Sequence, residues 1–439
     1  MKALINARIY DYHNYLENKC IVFDNEIKAV LDMSEVDLTE FDEVIDANNQ
    51  LIMPGFVSGH THLYSAFARG MNLKYNPHNF QEILEQMWWK LDHFLDLEMI
   101  YYSAYSYAVE QLMAGTTTLI DHHASFLIEN SLNTIKKALC DDLKIRAILA
   151  FEVSDRFDVD KAIKENSDFI KNNKTNACCG LFGLHASYTL SDETLLKVKN
   201  NLHESGIHIH VAESKMDELL TKEKYNKNVV KRLESFNLLN DKSLLVHCTN
   251  VSAEELDIIK KYNSKIVLNF TSNMNNAVGL PDFQAMNKKK IDCLIGNDGL
   301  ISSMPIEYIN TYYASHLKTN NPVGLNLSEI KQSIINTYEY TSKLLNIKMG
   351  RIEVGYVSDF ITVPYSEFTP INKENIFGHV FFGLFPNLKP KSVFSQGREL
   401  IKNYNISDEM NVKLKKAKEV SLKLWKIIEK EGNHLEFKY

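Results

Sequence analysis

The stretch Pro54-Gly55-Phe56-Val57-Ser58-Gly59-His60-Thr61-His62 joins a short apolar run to two histidines two positions apart. Side chains alternate along a β-strand, so His60 and His62 would point to one side and could both reach one metal ion. The pair alone is weak evidence, because this histidine content gives such a spacing by chance in about half of chains of this length. A second pair does occur, at His208 and His210.

The run at 54–57 is the first of eight short apolar runs in the middle of the chain. The other seven lie at 116–120, 145–151, 180–184, 207–211, 244–246, 265–268 and 291–295. Amphipathic stretches separate most of them, as at 97–114, 191–204, 227–236 and 252–262. Eight strand-then-helix units predict an α/β fold of the (β/α)₈ barrel type. A doubly wound sheet is the competing layout, but it gives no reason for eight repeats.

Strand-like patterns return at both chain ends, outside the predicted barrel. They cover 2–10, 19–30 and 43–52 at the start, and 353–363 and 391–398 near the end. These segments predict a small β-sandwich built from both ends of the chain. The predicted domains are therefore 1–55 and 347–404 for the sandwich, 56–346 for the barrel, and 405–439 for a C-terminal helix.

Polar residues stand at the carboxyl ends of several predicted strands. His185 ends the fourth strand, His210 the fifth, His247 the sixth and Asp298 the eighth. Barrel enzymes assemble their sites at that face from several strand ends. Glu213 follows the fifth strand, where a carboxyl group could move protons beside a metal-activated water. The set therefore predicts a metal-dependent active site.

Composition and charge narrow the class of protein. The formal net charge is -7 and basic residues form only short runs, so no nucleic-acid partner is predicted. No apolar run reaches the length of a membrane span, and the polar start of the chain argues against a signal peptide. Six scattered cysteines without a C-x-x-C spacing indicate reduced thiols. We therefore expect a cytoplasmic protein that acts on a small molecule.

Four motifs resemble those of the metal-dependent amidohydrolases, in the branch of cytosine deaminases, guanine deaminases and triazine hydrolases. They are the opening 54–62 segment, His208-Ile209-His210-Val211-Ala212-Glu213, Leu245-Val246-His247-Cys248 and Gly296-Asn297-Asp298-Gly299. The resemblance covers nearly the whole chain. It is closest to the SsnA-type aminohydrolases at 121–125, 184–190 and 272–279.

The resemblance implies a role for each matching residue. His60, His62, His210 and Asp298 would be metal ligands, Asp298 and Glu213 would move protons, and His247 would contact the hydrolytic water or the substrate. Binuclear members of the superfamily use a carboxylated lysine on the fourth strand, whereas this strand ends in His185. One divalent ion is therefore expected, with zinc first and iron(II) second, because three imidazoles and one carboxylate suit both metals.

The substrate side of the predicted site is less well defined. His185, Trp89 and Arg156 are candidate substrate-binding residues, with helix packing the alternative for Trp89 and a surface salt bridge the alternative for Arg156. Asn297, and Asn269 followed by Phe270, depart from patterns that are common in the deaminases. These departures leave the substrate open and do not affect the predicted metal ligands.

The sequence therefore predicts an aminohydrolase that acts on a non-peptide carbon–nitrogen bond. The predicted reaction is hydrolytic deamination of an aminated heterocycle or nucleoside-like compound by a metal-bound hydroxide. One alternative is a cyclic amide or carbon–halogen hydrolase with the same site. Another is a metal-binding accessory protein of selenium metabolism without turnover. The resemblance also implies a homo-oligomer, with a dimer as the first expectation.

Overall fold

Strands from the two ends of the chain pair in one mixed, eight-stranded sheet. The computed structural model describes residues 1–432 and 435. The sheet runs in the order β17-β16-β15-β5-β1-β2-β3, and β4 also pairs with β1. Its strands are β1 Lys2–Tyr10, β2 Tyr15–Phe23, β3 Ile27–Asp32, β4 Glu43–Asp46, β5 Leu51–Pro54, β15 Phe360–Val363, β16 Ser392–Ser395 and β17 Arg398–Ile401.

This sheet joins the two predicted terminal parts through the antiparallel pair β5 and β15. Both of its faces are apolar, because alternate residues of β1 enter different clusters. Leu4 and Ile9 pack in one cluster, and Ala3 and Ile5 pack in another. The predicted strand at 353–363 is wrong in its first half, since only its last four residues form β15.

Nine parallel strands lie between the two terminal parts, in one sheet of four and one of five. They are β6 Phe56–Thr61, β7 Thr116–His123, β8 Arg146–Phe151, β9 Cys178–Gly180, β10 Phe182–Ala186, β11 Ile207–Val211, β12 Leu244–His247, β13 Lys265–Leu268 and β14 Cys293–Ile295. The predicted fourth strand corresponds to β9 and β10. Nearly every strand residue is buried, which explains why these strands read as continuous apolar runs.

The two parallel sheets approach each other at both edges. Val153, after β8, forms a parallel bridge with Leu184 of β10. At the other edge, the backbone N–H groups of Asn297 and Asp298 donate to His60 O of β6 at 3.0 and 3.1 Å. Gly296 permits this approach, because a Cβ there would lie 2.6 Å from His60 N. The end of β14 is thereby fixed against β6.

Helices follow most of the parallel strands. They are α1 Phe80–Ile83, α2 Trp89–His93, α3 Leu97–Met113, α4 Ser131–Lys136, α5 Val159–Asn172, α6 Asp192–Leu202, α7 Lys215–Tyr225, α8 Val229–Ser235, α9 Ala253–Lys261, α10 Phe270–Asn275, α11 Phe283–Lys288, α12 Met304–Thr319, α13 Leu327–Leu345, α14 Ile376–Gly378 and α15 Asp408–Glu431. A π-helical turn, Leu84–Trp88, links α1 to α2. Among the described residues, none of the helices has both the length and the apolar character needed to cross a bilayer.

Two further features connect the parts of the molecule. Arg146 on β8 donates to Asp359, just before β15, with a distance of 2.6 Å between Nε and Oδ2. Both side chains are about 2% exposed, so a buried ion pair joins the parallel strands to the terminal sheet. All six cysteines, which lie in the described part of the chain, are buried free thiols.

Candidate metal centre

Histidines and one aspartate converge at the carboxyl ends of the parallel strands. His60 lies near the end of β6, His210 lies in β11, and His247 ends β12. His62 follows β6 directly, and Asp298 lies three residues beyond β14. Because parallel strands end at the same edge of their sheet, residues far apart in sequence meet there.

The nitrogen and oxygen atoms at this point are close enough to share one cation. His60 Nε2 and His62 Nε2 lie 3.0 and 3.2 Å from Asp298 Oδ1, and His62 Nε2 lies 3.1 Å from His210 Nε2. A tetrahedral zinc ion with bonds of about 2.0 to 2.1 Å would space its ligand atoms by about 3.3 Å. The four predicted ligands therefore fit the dimensions of such an ion.

Hydrogen bonds on the far side of the three imidazoles orient them toward this point. His62 Nδ1 donates to His122 O at 2.6 Å, and His210 Nδ1 donates to His185 O at 3.0 Å. His60 Nδ1 lies 2.8 Å from His208 Nε2. A carbonyl oxygen can only accept, so Nδ1 of His62 and His210 carries the proton and Nε2 is the atom available to a metal.

The electrostatics agree with a cation site. Burial lowers the pKa of His60 to about 4 and the pKa of His210 well below its usual value, so these two rings are neutral near pH 7, as metal ligands must be. Burial also lowers the pKa of His62, but the Asp298 carboxylate outweighs it and raises that pKa, so a cation must displace the proton there. Burial opposes ionisation of Asp298, but His247, His60 and His62 outweigh it and hold the pKa of that carboxyl well below its usual range. Asp298 is therefore a buried carboxylate that requires positive charge nearby.

Two residues outside the predicted ligand set also lie at this point. Among the described residues, two groups each place one possible ligand atom per residue within 4.8 Å of all the others. One group is His60, His210, His247 and Asp298, and the other is His62, His122 and His210. His122 and His123 are neighbours on β7, and adjacent strand residues point to opposite sides, so at most one of them can face the site. In agreement, His123 turns away and bonds to the hydroxyl of Ser125 at 3.1 Å.

Glu213 stands beside the cluster as a buried acid. One of its oxygens, Oε2, lies 3.5 Å from His247 Nε2. Burial and the nearby charge of Asp298 raise the pKa of Glu213 well above its usual value. A protonated carboxyl at this position can donate a proton and take it back.

Three non-glycine residues near the cluster adopt left-handed backbone conformations. Ala212 has a φ of 46°, His247 of 69° and Asp298 of 53°. Such conformations are costly for residues with a Cβ and are frequent at functional sites. Here they turn the chain sharply where His210, His247 and Asp298 must all face one point.

A cavity of about 840 Å³, including its open mouth, leads from the solvent to this cluster. Phe80, Leu84, Trp88, Trp89 and Asp92 line one wall, so the segment α1–α2 with its π-helical turn presents one face to the cavity. Predicted substrate-binding residues His185, Trp89 and Arg156 all line it. The ring centroids of Trp89 and His185 are 6.3 Å apart.

Arg156 is buried in the cavity wall, which excludes the alternative of a surface salt bridge. Its Nη2 lies 2.6 Å from Asp92 Oδ2 and 3.2 Å from Glu152 Oε1. Its guanidinium carbon lies 4.6 Å from the ring centre of Trp89 and 4.7 Å from that of Phe157. Two carboxyl groups and two aromatic rings therefore hold this guanidinium in one place.

Sequence reasoning missed several residues that support the site. His208 was recognised only as half of a second His-x-His pair, although strand alternation places it on the same side as His210. Asn273 and Glu152 were not assigned roles, because their contacts with His247 and Arg156 are set by the fold. For His208 the two-residue spacing was a usable signal, whereas an isolated asparagine or acid offers none.

Comparisons with known proteins agree with the motifs. A model of the amidohydrolase family matches residues 51–400. The chain is similar to 5'-deoxyadenosine deaminase of Methanocaldococcus jannaschii, with 28% identity over 82% of this chain and 86% of that protein. It is also 28% identical to 5-methylthioadenosine/S-adenosylhomocysteine deaminase of Thermococcus sibiricus, over 79% of this chain and 82% of the other. The solved adenosine deaminase of Xanthomonas campestris with bound zinc has a TM-score of 0.81 at 18% identity, covering 96% of this chain and 98% of that one.

Proposed function

Because this chain belongs to the amidohydrolase family, we propose that it is a metal-dependent aminohydrolase that releases ammonia from an aminated heterocycle or nucleoside-like compound. Membership of the family makes it an enzyme that hydrolyses carbon–nitrogen bonds. The names of its relatives, which are deaminases of 5'-deoxyadenosine and of 5-methylthioadenosine and S-adenosylhomocysteine, support an aminated nucleoside-like substrate. The observation that carries the proposal is the position of the buried Glu213 beside the His60, His62, His210 and Asp298 cluster, with Oε2 3.5 Å from His247 Nε2.

In this proposal His60, His62, His210 and Asp298 hold one divalent cation, with zinc as the first expectation and iron(II) as the second. The ligand spacing and the three Nδ1 hydrogen bonds support this set, and a solved relative in fold contains zinc. When bound, such a cation makes a water molecule acidic enough to attack at neutral pH. Residues 178–186 contain no lysine, which supports one cation instead of two.

The side chains then divide the proton transfers. Asp298 Oδ1 faces His60 and His62, so Oδ2 is free to accept a proton from the attacking water. The water oxygen bonds to the sp² carbon that bears the amino group, and Glu213 donates its proton to the adjacent ring nitrogen. The bond from that carbon to the amino nitrogen breaks, and ammonia leaves with the proton taken up by Asp298. The proton that remains on the new oxygen returns to Glu213, which restores the acid and leaves a carbonyl group. His247 holds the new oxygen by a hydrogen bond, and His185, Trp89 and Arg156 contact the substrate.

We also infer the finer architecture that positions this site. The Val153–Leu184 bridge and the bonds to His60 O support closure of the parallel strands into one (β/α)₈ barrel. The proposed boundaries are 56–346 for the barrel, 1–55 and 347–404 for a β-sandwich, and 405–439 for the C-terminal segment. Helix α15 covers Asp408–Glu431 of that segment, and residues 433–434 and 436–439 lie outside the described part of the chain. Tyr313 and Leu317 are exposed one turn apart on α12, which supports a homodimer. Six free thiols support a cytoplasmic location.

The test is ammonia release by purified protein of known metal content. The panel contains amino-purines, amino-pyrimidines, pterins and their nucleosides, and Glu213→Gln serves as the blank. We expect one class of compound to release ammonia. If no compound of the panel releases ammonia, the result would contradict a deaminase and favour cyclic amide or carbon–halogen hydrolysis. The same protein would reveal those reactions as ring opening or halide release.

Replacement of Glu213 by glutamine is the sharpest single variant. The amide keeps the size of the side chain but cannot exchange a proton. We expect kcat to fall by about 10² to 10⁴ while metal content stays at one per chain. Full activity in this variant would remove Glu213 from the mechanism, and loss of metal would assign it a structural role instead.

A further inference from the structure

The geometry of the cluster leaves two different roles open to His247. Its ring lies within 4.8 Å of the other donor atoms, as a fourth nitrogen or oxygen ligand would. It could equally serve as a hydrogen-bond donor to the reacting oxygen. The two roles require opposite protonation of Nε2, because a ligand needs a lone pair there and a donor needs a proton.

The partner of His247 Nδ1 differs from those of the proposed ligands. His62 and His210 each present Nδ1 to a carbonyl oxygen, as already described. His247 Nδ1 instead faces the amide nitrogen of Asn273, at 3.1 Å. In this orientation the amide N–H donates to Nδ1, so Nδ1 accepts and carries no proton, while Asn273 Oδ1 is buried without a hydrogen-bond partner among the described residues.

We propose that Asn273 is a positioning residue that holds His247 in the neutral form with its proton on Nε2, so that His247 donates to the reacting oxygen and does not bind the metal. This inference rests on the proposed function for the identity of that oxygen. His62 and His210, whose Nδ1 atoms each meet a carbonyl oxygen, then differ in kind from His247, whose Nδ1 meets an amide nitrogen.

The surroundings of Nε2 support the same protonation state independently. Nε2 lies 3.5 Å from Glu213 Oε2 and 3.8 Å from Asp298 Oδ2. The ionised Asp298 carboxylate would repel a lone pair at Nε2, whereas it attracts an N–H there. Within the described residues, this buried nitrogen has no hydrogen-bond partner, so an oxygen atom of a ligand or water is needed to satisfy it.

Burial and backbone hydrogen bonds fix the position of Asn273 beside the His247 ring. Both Asn273 and His247 are completely buried. Asn273 lies on α10, where its backbone N–H donates to Asn269 O at 3.0 Å, and its own carbonyl accepts from Val278 N at 3.2 Å. The left-handed backbone of His247, with a φ of 69°, sets the direction of its ring. These bonds fix the backbone from which the Asn273 side chain reaches His247 Nδ1.

Nitrogen NMR of histidine-labelled protein tests the assignment without any turnover. The ¹⁵N shift separates a protonated ring nitrogen from an unprotonated one, and the signals missing from His247→Gln identify the residue. In the metal-free and the zinc-loaded protein we expect a proton on Nε2 and none on Nδ1. In Asn273→Leu we expect a mixture of the two forms. A proton on Nδ1 in the unmodified protein would overturn the proposal.

Kinetics of a double-mutant cycle supply the second readout, with whichever amine proves to be the substrate. Asn273→Leu is expected to lower kcat at least tenfold, with KM and metal content nearly unchanged. In the His247→Gln background the same substitution should have no further effect, because its target is gone. Asn275→Leu, an exposed neighbour on the same helix, is the matched control and should behave as the parent.

The outcomes separate this proposal from the proposed function. Additive losses in the cycle, or loss of metal in Asn273→Leu, would show a structural role for Asn273 and overturn the inference. Failure to find any deaminated compound would count against the proposed function alone, because the NMR result stands without turnover.

Discussion

At the scale of single residues, one buried acid outside the site illustrates how burial controls protonation. Glu307 on α12 is completely buried, and its Oε2 accepts a hydrogen bond from the Thr271 hydroxyl at 2.8 Å. Burial raises the pKa of Glu307 to about 8. The folded protein therefore holds this proton at neutral pH, whereas the unfolded chain releases it near the ordinary glutamate value of 4.5.

This difference predicts a pH-dependent stability. The contribution of Glu307 to the free energy of unfolding is fully present below pH 4.5. It is lost as pH rises through 8, by about 1.4 kcal/mol per pH unit. Glu307→Gln mimics the protonated acid and removes the loss, so its Tm should match that of the parent at pH 4.5 and exceed it increasingly up to pH 8. Calorimetry at both pH values is the measurement, with exposed Glu339→Gln as the control. A difference in Tm that does not change with pH would contradict the assignment.

The residues that sequence alone could locate are those whose signal is local. His60 and His62 share a strand face by alternation, and Asp298 ends a predicted strand. Asn273 could not be located, because its function depends on a 3.1 Å contact with a residue 26 positions earlier. The burial of Arg156 between Trp89 and Phe157 also depends on contacts that no short pattern contains.

At the scale of secondary-structure elements, the gap between β14 and β6 is set by a glycine. A Cβ on Gly296 would lie 2.6 Å from His60 N and 2.7 Å from Asn269 Oδ1. The strand ends would have to separate to admit it. Because His60 and Asp298 sit on opposite sides of this gap, their spacing depends on Gly296.

Gly296→Ala is therefore expected to weaken metal binding. Misplacing a ligand support typically costs 10- to 100-fold in affinity, and about 1 to 3 kcal/mol of stability accompanies overpacking. Competition with a chelator measures the metal affinity, and Tm measures the stability. Gly378→Ala, where a Cβ meets nothing within 4 Å, should leave metal binding unchanged. Unaltered affinity in Gly296→Ala would show that the strand ends can adjust.

The periodic elements were predictable because their patterns are long or strongly apolar. The amphipathic stretch at 97–114 forms helix α3, Leu97–Met113, and the Asp96 side chain caps its start by accepting a hydrogen bond from Met99 N. The π-helical turn within 80–93 was not predicted, because it arises from packing and leaves no periodic trace. The early part of 353–363 was mistaken for strand, since its apolar alternation lies in a turn.

At the scale of the whole molecule, the buried Arg146–Asp359 pair connects the parallel strands to the terminal sheet. Asp359 also accepts from the backbone N–H of Gln396 at 2.7 Å. Removing one member of a buried pair leaves the other charge without compensation. Loss of either charge should therefore destabilise both the parallel strands and the terminal sheet.

We predict that Asp359→Ala lowers the free energy of unfolding by about 3 to 5 kcal/mol. Urea denaturation measures the loss, and the double variant Arg146→Met, Asp359→Leu should recover part of it because no charge remains buried. Glu98→Ala, which removes an exposed ion pair between α3 and α15, should cost at most about 1 kcal/mol. A small loss in Asp359→Ala would mean that water reaches Arg146.

The burial of all six cysteines has a practical consequence. Their thiols are out of reach of maleimide reagents, so the folded chain offers an unreactive background for covalent dyes. A cysteine introduced at the exposed Lys74, ahead of α1, would be the single site of labelling. A fluorophore there could report, in real time, whether compounds that enter the cavity move the segment ahead of the cavity-lining Phe80.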